Sequence, residues 1–389
     1  MTLTADRMRT LQPYFFAELS AHINQLRASG RDVIRLDIGV PDMPPADFVV
    51  KTLTEAAGRA DTHGYQAYRG TPELRDAWAT MYERDYQVAL DPALQIVPLL
   101  GSKEGIFHLT QAHANPGDVV LVPDPGYPNY AHAAAFAGAE VIQMPLLVER
   151  DFLPQLDAIP TEAALKAKLM WLNYPNNPTA GIATNAFFSE VVAFARKHNI
   201  MIFHDAPYTH VTYDGYRAPS ILEIEGASEV AVELNSLSKA YNMAGWRVGA
   251  AVGNAAALEA LYVLKTNIDT SHFLPIMQAA TAALTGDQEW LAERNNIYQH
   301  RRDLLVETLR ACGFSVQLSK ATLFIWAGIS SGAVAKVFAR ELLDDIGVSL
   351  APGSAFGEFG EGFLRVSVGT ETSRVEEACK RLRQHFASG

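Results

Sequence analysis

Five short apolar runs, separated by longer segments with helical periodicity, constrain the fold of this chain more than any other feature. The runs lie at residues 119–122, 140–144, 169–172, 200–203 and 230–234. Continuous apolar runs of this length are typical of strands that are buried on both faces, and segments such as 187–198 repeat apolar residues at helical spacing. The pattern predicts an α/β fold in which helices cover a mainly parallel sheet.

Polar turns follow four of these runs, at residues 124–127, 173–178, 205–208 and 236–249. The carboxyl ends of parallel strands lie along one edge of a sheet, and ligands of open α/β sheets bind beyond that edge. We therefore expect the four turns to meet in one pocket.

The last third of the chain has a different pattern. Apolar runs at 322–326 and 364–368 flank a helical pattern at 333–345, and another helical pattern follows at 374–386. The chain has 389 residues, which exceeds the usual size of one domain. We predict an N-terminal arm with part of the small domain over residues 1–45, a large domain over 46–280, and a smaller α+β domain over 281–389.

Charge and cysteine content restrict the partners. The formal net charge of −11 disfavours nucleic acids and anionic membranes, since both repel an acidic surface. No run reaches the roughly 18 uncharged apolar residues that a spanning helix needs, and residues 1–7 lack the apolar core of a signal peptide. Cys312 and Cys379 show neither CxxC nor metal-binding spacing. We expect a cytoplasmic protein without a metal site.

The turn at 236–249 carries a lysine among small and hydroxyl side chains, with an arginine eight residues later. Lys239 is suited to a Schiff base with an aldehyde, and Ser236, Ser238 and Arg247 are suited to a phosphate. An aldehyde and a phosphate together describe pyridoxal 5′-phosphate. Taken alone, the segment also fits a polar loop around a Gly-Trp packing point, and the other turns favour the cofactor.

The segment 101–105, Gly-Ser-Lys-Glu-Gly, predicts a further phosphate contact. It precedes a helical pattern, and the free backbone N–H groups at a helix start bind phosphate. Ser102 and Lys103 are therefore candidate cofactor ligands. No GxGxxG or Walker motif occurs, so a nucleotide cofactor is not indicated.

The remaining turns and the late apolar run at 364–368 offer groups for the cofactor ring and the substrate, although each turn residue alone also fits a turn or packing role. Asp205 would pair with the protonated pyridine nitrogen, which makes the ring an electron sink. Tyr208 and Asn177 would donate to the phenolic oxygen and lower the pKa of the Schiff base. Tyr127 would stack on the ring. Arg365 would bind the substrate α-carboxylate through two parallel hydrogen bonds.

These motifs together resemble the fold-type I, class I/II aminotransferases along nearly the whole chain. Within that family the segments are most similar to the LL-diaminopimelate and the glutamate–pyruvate (alanine) aminotransferases. The matching segments are residues 36–42, 63–70, 101–105, 124–128, 236–249, 352–357 and 364–369.

The resemblance implies roles that spacing cannot show. Gly39 would offer its backbone N–H to the substrate carboxylate, and Tyr14 in the N-terminal arm would contact the substrate. Tyr65 would reach the cofactor phosphate of a neighbouring subunit, which implies a homodimer with shared active sites. The implied activity moves an amino group from an L-amino acid to 2-oxoglutarate or pyruvate. In that reaction Lys239 would also move a proton between the substrate α-carbon and the cofactor.

Several alternatives remain open at this point. Ala180 stands where many relatives carry glycine, and the segment 270–273 departs from the small-residue pattern of diaminopimelate enzymes, so the amino donor is undecided. A pyridoxal phosphate-dependent β-lyase or decarboxylase on the same fold is a second class, although a carboxylate clamp at Arg365 disfavours decarboxylation. A non-catalytic regulator that binds the cofactor is a third class, and no basic helix-turn-helix pattern precedes residue 40.

Overall fold

The computed structural model describes residue 8 and residues 15–387. The strands are β1 (Ile34–Arg35), β2 (Ile96–Leu99), β3 (Val119–Asp124), β4 (Glu140–Pro145), β5 (Ala167–Asn173), β6 (Met201–Asp205), β7 (Ala231–Ser236), β8 (Gly249–Gly253), β9 (Ser315–Val316), β10 (Phe324–Gly328), β11 (Val348–Ser349), β12 (Ala351–Pro352) and β13 (Phe363–Ser367). The largest sheet has seven strands in the spatial order β2-β8-β7-β6-β5-β3-β4. All of them run parallel except β8, which is antiparallel to both neighbours.

Helices connect most of the strands in the described part of the chain. They are α1 (Phe15–Ala28), α2 (Asp47–Ala57), α3 (Pro72–Tyr86), α4 (Ser102–His113), α5 (Asn129–Phe136), α6 (Thr161–Lys166), α7 (Asn185–His198), α8 (Ala227–Val230), α9 (Leu237–Ala240), α10 (Ala255–Thr266), α11 (Leu274–Thr285), α12 (Glu289–Ala311), α13 (Ala335–Ile346) and α14 (Thr372–Ala387). Among the described residues, none of these helices combines the length and the apolar character needed to cross a bilayer.

Alternate residues of each central strand pack into different apolar clusters. In β5, Met170 and Leu172 belong to one cluster, whereas Leu169 and Trp171 belong to another on the opposite face. Side chains of a strand alternate between the faces of the sheet, so both faces are covered. The predicted α/β fold with a mainly parallel, helix-covered sheet is confirmed.

The five apolar runs form β3 to β7, as predicted, with one difference in burial. Strand β4 lies at the edge of the sheet and leaves most of its residues partly or fully exposed, although its apolar run predicts a buried strand. Strands β2 and β8 were not predicted. Their sequences, Ile-Val-Pro-Leu and Gly-Ala-Ala-Val-Gly, contain a proline and small residues that do not mark a strand.

A side-chain cap and a proline mark the start of helix α3. The Thr71 side chain accepts a hydrogen bond from the Leu74 backbone N–H at 3.3 Å, and Pro72 occupies the first turn. The face that carries Trp78 and Met81 is buried against the large sheet and α11. Capping and one continuous apolar face together fix this helix.

The last third of the chain forms a separate four-stranded antiparallel sheet in the order β12-β13-β10-β9. Strand β1 pairs in parallel with β11, which joins the residues near position 35 to this C-terminal part. Helices α12 and α14 pack against each other in the same region. The predicted domain boundaries at 45 and 280 stay predictions.

Candidate active site

A cavity of about 540 Å³ lies where the turns after β3, β5, β6 and β7 meet. Residues of the N-terminal segment and of β13 close its other side. Its lining includes the sequence-predicted residues Gly39, Ser102, Lys103, Tyr127, Asn177, Asp205, Tyr208, Ser236, Ser238, Lys239, Arg247 and Arg365. The four strand-end turns therefore share one pocket, as the strand pattern predicts.

Asp205 ends strand β6 and is buried at the base of this cavity. The Tyr130 hydroxyl donates a hydrogen bond of 2.8 Å to Oδ2, whereas Oδ1 has no hydrogen-bond partner among the described residues. Burial raises the pKa of the carboxyl to about 6, against the opposing effects of the Tyr130 hydrogen bond and of the nearby His204 and Ser102 side chains. A buried carboxylate oxygen without a partner suits a cationic N–H donor, such as a protonated pyridine nitrogen.

Lys239 follows strand β7 directly, in the short helix α9. Burial lowers the pKa of its ammonium group to about 8, and the positive charges of Arg365 and Arg247 act in the same direction. A lowered pKa increases the fraction of neutral amine near neutral pH. The neutral amine is the form that attacks an aldehyde or accepts a proton.

Groups suited to binding a phosphate gather on one side of the cavity. Ser102 opens helix α4, whose first N–H groups have no partner within the helix. Arg247 reaches the same side and lies 3.4 Å from the hydroxyl of Ser238, which accepts from it. The hydroxyl of Ser236 caps α9 by accepting from the backbone N–H of Ser238 at 3.2 Å. At Gly101 a Cβ would overlap the Arg247 guanidinium, so only glycine leaves room for this arrangement.

Arg365 is buried and is held by two hydrogen bonds and two aromatic rings. Its Nη1 donates to Oδ1 of Asn177 at 2.7 Å, and its Nη2 donates to the backbone carbonyl of Asp37 at 2.7 Å. The guanidinium carbon lies 4.2 Å from the ring centre of Phe324 and 4.5 Å from that of Phe356. The bond from Arg365 occupies Oδ1 of Asn177, and the amide nitrogen remains as the donor of that side chain.

Aromatic rings and one glycine shape the remaining wall. The Tyr127 ring meets Tyr130 edge to face at 5.8 Å, and the Tyr208 ring meets Phe324 in the same way at 5.5 Å. At Gly39 a Cβ would overlap the Phe324 ring. The backbone at Gly39 is therefore able to approach the cavity only because it carries no side chain.

The kind of enzyme is identified by the protein family that the sequence matches. The sequence model of the family described as aminotransferase class I and II matches residues 31–382. The chain belongs to the class I and II aminotransferases. It is therefore a transaminase that acts on an amino acid and a 2-oxo acid, and its family implies pyridoxal phosphate as the cofactor. The unpaired Oδ1 of Asp205 and the phosphate-binding groups near Ser102 and Arg247 fit that cofactor.

This aminotransferase is similar to known proteins over nearly its whole length. The LL-diaminopimelate aminotransferase of Moorella thermoacetica is 46% identical over 98% of this chain and 97% of its own length. That of Halothermothrix orenii is 45% identical over 97% of each chain. Among solved structures, substrate-bound BacF from Bacillus subtilis is 35% identical over 99% of this chain and 98% of its own, with a TM-score of 0.95. A probable N-succinyldiaminopimelate aminotransferase from Thermus thermophilus is 36% identical over 95% of this chain and 99% of its own, with a TM-score of 0.90.

One predicted site residue does not line the cavity of its own chain, and another lies outside the described residues. Tyr65 is 94% exposed and lies in a loop after α2, away from the pocket of its own chain. Tyr14 lies outside the described residues. The roles that the family resemblance implies for both residues stay predictions.

Sequence reasoning missed the residues that support the predicted ones. Tyr130, which donates to Asp205, lies three residues after Tyr127 in the first turn of α5, and this closeness in the sequence is the one available signal. Phe324 and Phe356 lie in segments that the sequence marks, but no sequence pattern shows that their rings pack on Arg365. The pairing of Arg365 with Asn177 joins residues 188 positions apart and could not be predicted from spacing.

Proposed function

We propose that this aminotransferase takes its amino group from LL-diaminopimelate and transfers it to 2-oxoglutarate. The observation that carries the proposal is the similarity to curated LL-diaminopimelate aminotransferases, which are 44–46% identical over almost the whole chain. The structurally similar proteins with other names are 36% identical or less. The higher identity to the LL-diaminopimelate aminotransferases favours LL-diaminopimelate over the substrates of the structurally similar proteins.

The substrate α-carboxylate would bind between Arg365 and the backbone N–H of Gly39. The guanidinium is already oriented by Asn177 and by the carbonyl of Asp37, so little side-chain entropy is lost when the carboxylate binds. A planar guanidinium matches the two carboxylate oxygens with parallel hydrogen bonds. This placement fixes the orientation of the α-carbon in the cavity. In the arm, Tyr14 would contact the same substrate.

Lys239 would move the proton of the reaction. Pyridoxal phosphate, when bound, holds the amino group between the two half-reactions and withdraws electrons from the substrate α-carbon. The Nζ atom of Lys239 would take the proton from that carbon and return it to the cofactor side. With a pKa of about 8, the amine can accept and release a proton near neutral pH. Asp205 would keep the ring nitrogen protonated through its unpaired Oδ1.

The other lining residues would hold and tune the cofactor. Its phosphate would bind the group formed by Ser102, Lys103, Ser236, Ser238 and Arg247. Its ring would lie among three side chains that the turns provide. Asn177 and Tyr208 would donate to the phenolic oxygen, and Tyr127 would stack on the ring face.

We infer further that the enzyme works as a cytoplasmic homodimer. Tyr65 is almost fully exposed and lies outside the cavity of its own chain, which is the placement expected of a residue that serves a partner's phosphate. Cys312 and Cys379 are both free thiols, as is usual in a reducing compartment.

A panel of amino donors tests this function. Purified enzyme is assayed with LL-diaminopimelate, meso-diaminopimelate, N-succinyl-LL-diaminopimelate, alanine and aspartate against 2-oxoglutarate and pyruvate. We expect the highest kcat/KM for LL-diaminopimelate with 2-oxoglutarate. A higher kcat/KM for alanine with 2-oxoglutarate, or for the succinylated donor, would contradict the proposed substrate. Release of pyruvate and ammonia from an amino acid without any oxo acid would indicate a β-lyase.

A further inference from the structure

The phosphate-binding side of the cavity depends on two backbone segments that do not pair as regular secondary structure. One is 100–101, which is followed directly by Ser102 at the start of α4, and the other is the end of the turn at 236–249, which contains Arg247. The Nη2 of Arg247 donates to the carbonyl of Leu100 at 3.4 Å, so the two segments are joined at this point. We call these residues, Leu100 to Ser102 and Arg247, the phosphate cradle.

Glu104 holds the first segment of the phosphate cradle from behind. Its Oε2 accepts a hydrogen bond from the backbone N–H of Leu100, and its Oε1 accepts from Nζ of Lys265 at 2.6 Å. Lys265 lies near the end of α10 and is only 2% exposed. A buried ammonium without a carboxylate partner is strongly unfavourable, so this pair is fixed in position.

Asp269 completes the ion pair on the other side of Lys265. Its Oδ1 accepts from Nζ of Lys265, and the neighbouring His108 places Nδ1 3.2 Å from Oε1 of Glu104. Glu104, His108 and Asp269 together have the ligand types of a metal site. The Lys265 ammonium lies between the two carboxylates and supplies the positive charge that a metal ion would bring. The cluster is therefore best explained as an ion-pair network.

His272 holds the second segment of the phosphate cradle. Its Nε2 lies 2.7 Å from the backbone carbonyl of Arg247, an acceptor, so this nitrogen carries the proton. Arg247 has φ 61°, in the left-handed region that side chains other than glycine seldom adopt. Such a conformation persists only when the surroundings hold it in place. The His272 hydrogen bond is one such restraint, and it is buried.

We propose that residues 265–272 form a brace that holds the phosphate cradle in its binding geometry and thereby sets the affinity for the phosphate of the cofactor. Lys265 acts on Leu100 through Glu104, and His272 acts on Arg247 directly. Both are positioning residues. The proposal rests on pyridoxal phosphate as the cofactor, and it is independent of the amino donor.

The test compares pyridoxal phosphate with pyridoxal, which lacks the phosphate. Apoprotein is titrated with each compound, and the absorbance of the bound form gives the two dissociation constants. In Glu104→Gln one side-chain oxygen faces two donors, so either Leu100 or Lys265 loses its hydrogen bond to residue 104. We expect the dissociation constant for pyridoxal phosphate to rise about tenfold, as for the loss of one hydrogen bond to a charged group. The constant for pyridoxal should change less than about twofold, because only the phosphate contact is affected.

A second pair of variants tests the other end of the brace. His272→Phe keeps a ring and removes the donor, whereas His272→Gln restores an N–H donor. We expect the phenylalanine variant to lose affinity for pyridoxal phosphate selectively and the glutamine variant to recover most of it. Where the Glu104 variant does not fold, this pair decides the question alone.

Asp214→Asn is the matched control. Arg302 is a buried cation with two carboxylate partners, Asp214 and Asp303, just as Lys265 has two. Asparagine tolerates the left-handed backbone at position 214. This control should leave both dissociation constants unchanged. The proposal would be overturned if the brace variants bound both compounds more weakly to the same degree, or if they bound neither more weakly. It would also be overturned if the control variant lost as much affinity as the brace variants.

Discussion

Nη1 of Arg365 donates a hydrogen bond of 2.7 Å to Oδ1 of Asn177, and both side chains line the same cavity. Through this contact, the proposed clamp for the substrate carboxylate also orients the proposed donor to the cofactor ring. A substrate carboxylate that binds Arg365 should therefore also affect the orientation of Asn177 beside the cofactor ring.

Replacing Arg365 with lysine should weaken substrate binding more than it slows turnover. Lysine offers a point charge in place of a planar fork, so it cannot bind Asn177, the Asp37 carbonyl and a carboxylate together. We expect KM for the amino donor to rise roughly 10- to 100-fold, the effect of losing a hydrogen bond to a charged group. Steady-state kinetics with both substrates measures this. Arg217→Lys, at an exposed arginine, is the control, and an unchanged KM in Arg365→Lys would argue against the clamp.

Replacing Asp205 with asparagine should remove most activity while stabilising the apoprotein. The amide cannot keep a ring nitrogen protonated, and loss of one such electrostatic group reduces kcat by about 100-fold or more. Burial raises the pKa of Asp205 to about 6, so the folded state binds its proton more tightly than the unfolded state. The native carboxylate therefore costs stability above pH 6, roughly 3 kcal/mol for a shift of this size.

The stability effect at Asp205 has a defined pH window. The free energy of unfolding contributed by this group should fall as the pH rises from about 4 to about 6 and stay constant above. Denaturant unfolding of the unaltered and the Asp205→Asn apoproteins at pH 4 and pH 7 gives the free energies of unfolding to be compared. The asparagine variant should be the more stable only at pH 7, and equal stabilities at both pH values would contradict the buried, unpaired carboxylate.

The pKa of Lys239 should govern how fast the apoprotein takes up its cofactor. Only the neutral amine attacks the aldehyde, and burial lowers the pKa to about 8. The rate of attachment, followed by absorbance in stopped flow, should rise with pH and level off above about pH 9, well below the roughly 10.4 of an exposed lysine. A rate that continues to rise up to pH 10 would show that the amine is not perturbed.

Replacing Gly39 with alanine should damage the carboxylate site through a steric clash. A Cβ at this position would overlap the Phe324 ring, which also packs on Arg365. We expect a loss of about 1–3 kcal/mol in the free energy of unfolding, the usual cost of overpacking, together with a higher KM. Gly58→Ala, where a Cβ meets only ordinary contacts, should neither lower the free energy of unfolding nor raise KM. A Gly39 variant with wild-type stability and KM would contradict the close approach.

The sequence predicts the parts of this protein whose patterns are local. Continuous apolar runs mark β3 to β7, and the polar turns that follow them carry Asp205 and Lys239. Strand β8 is not predicted because glycine and alanine have low strand propensity. It is held instead by antiparallel pairing with its neighbours β2 and β7. The contacts of Tyr130 with Asp205, and of Lys265 with Glu104, join distant segments and depend on the packed fold.

The most direct test of the proposed role of Lys239 is to measure amino-group transfer by the Lys239→Ala variant. The variant is loaded with pyridoxal phosphate and mixed with LL-diaminopimelate, and the conversion of the bound cofactor is followed in a single turnover. Loss of the proton-transferring amine should slow this step by about 100- to 10,000-fold, and added small amines such as methylamine should restore part of the rate. A variant that transfers the amino group at the rate of the unaltered enzyme would contradict the role of Lys239.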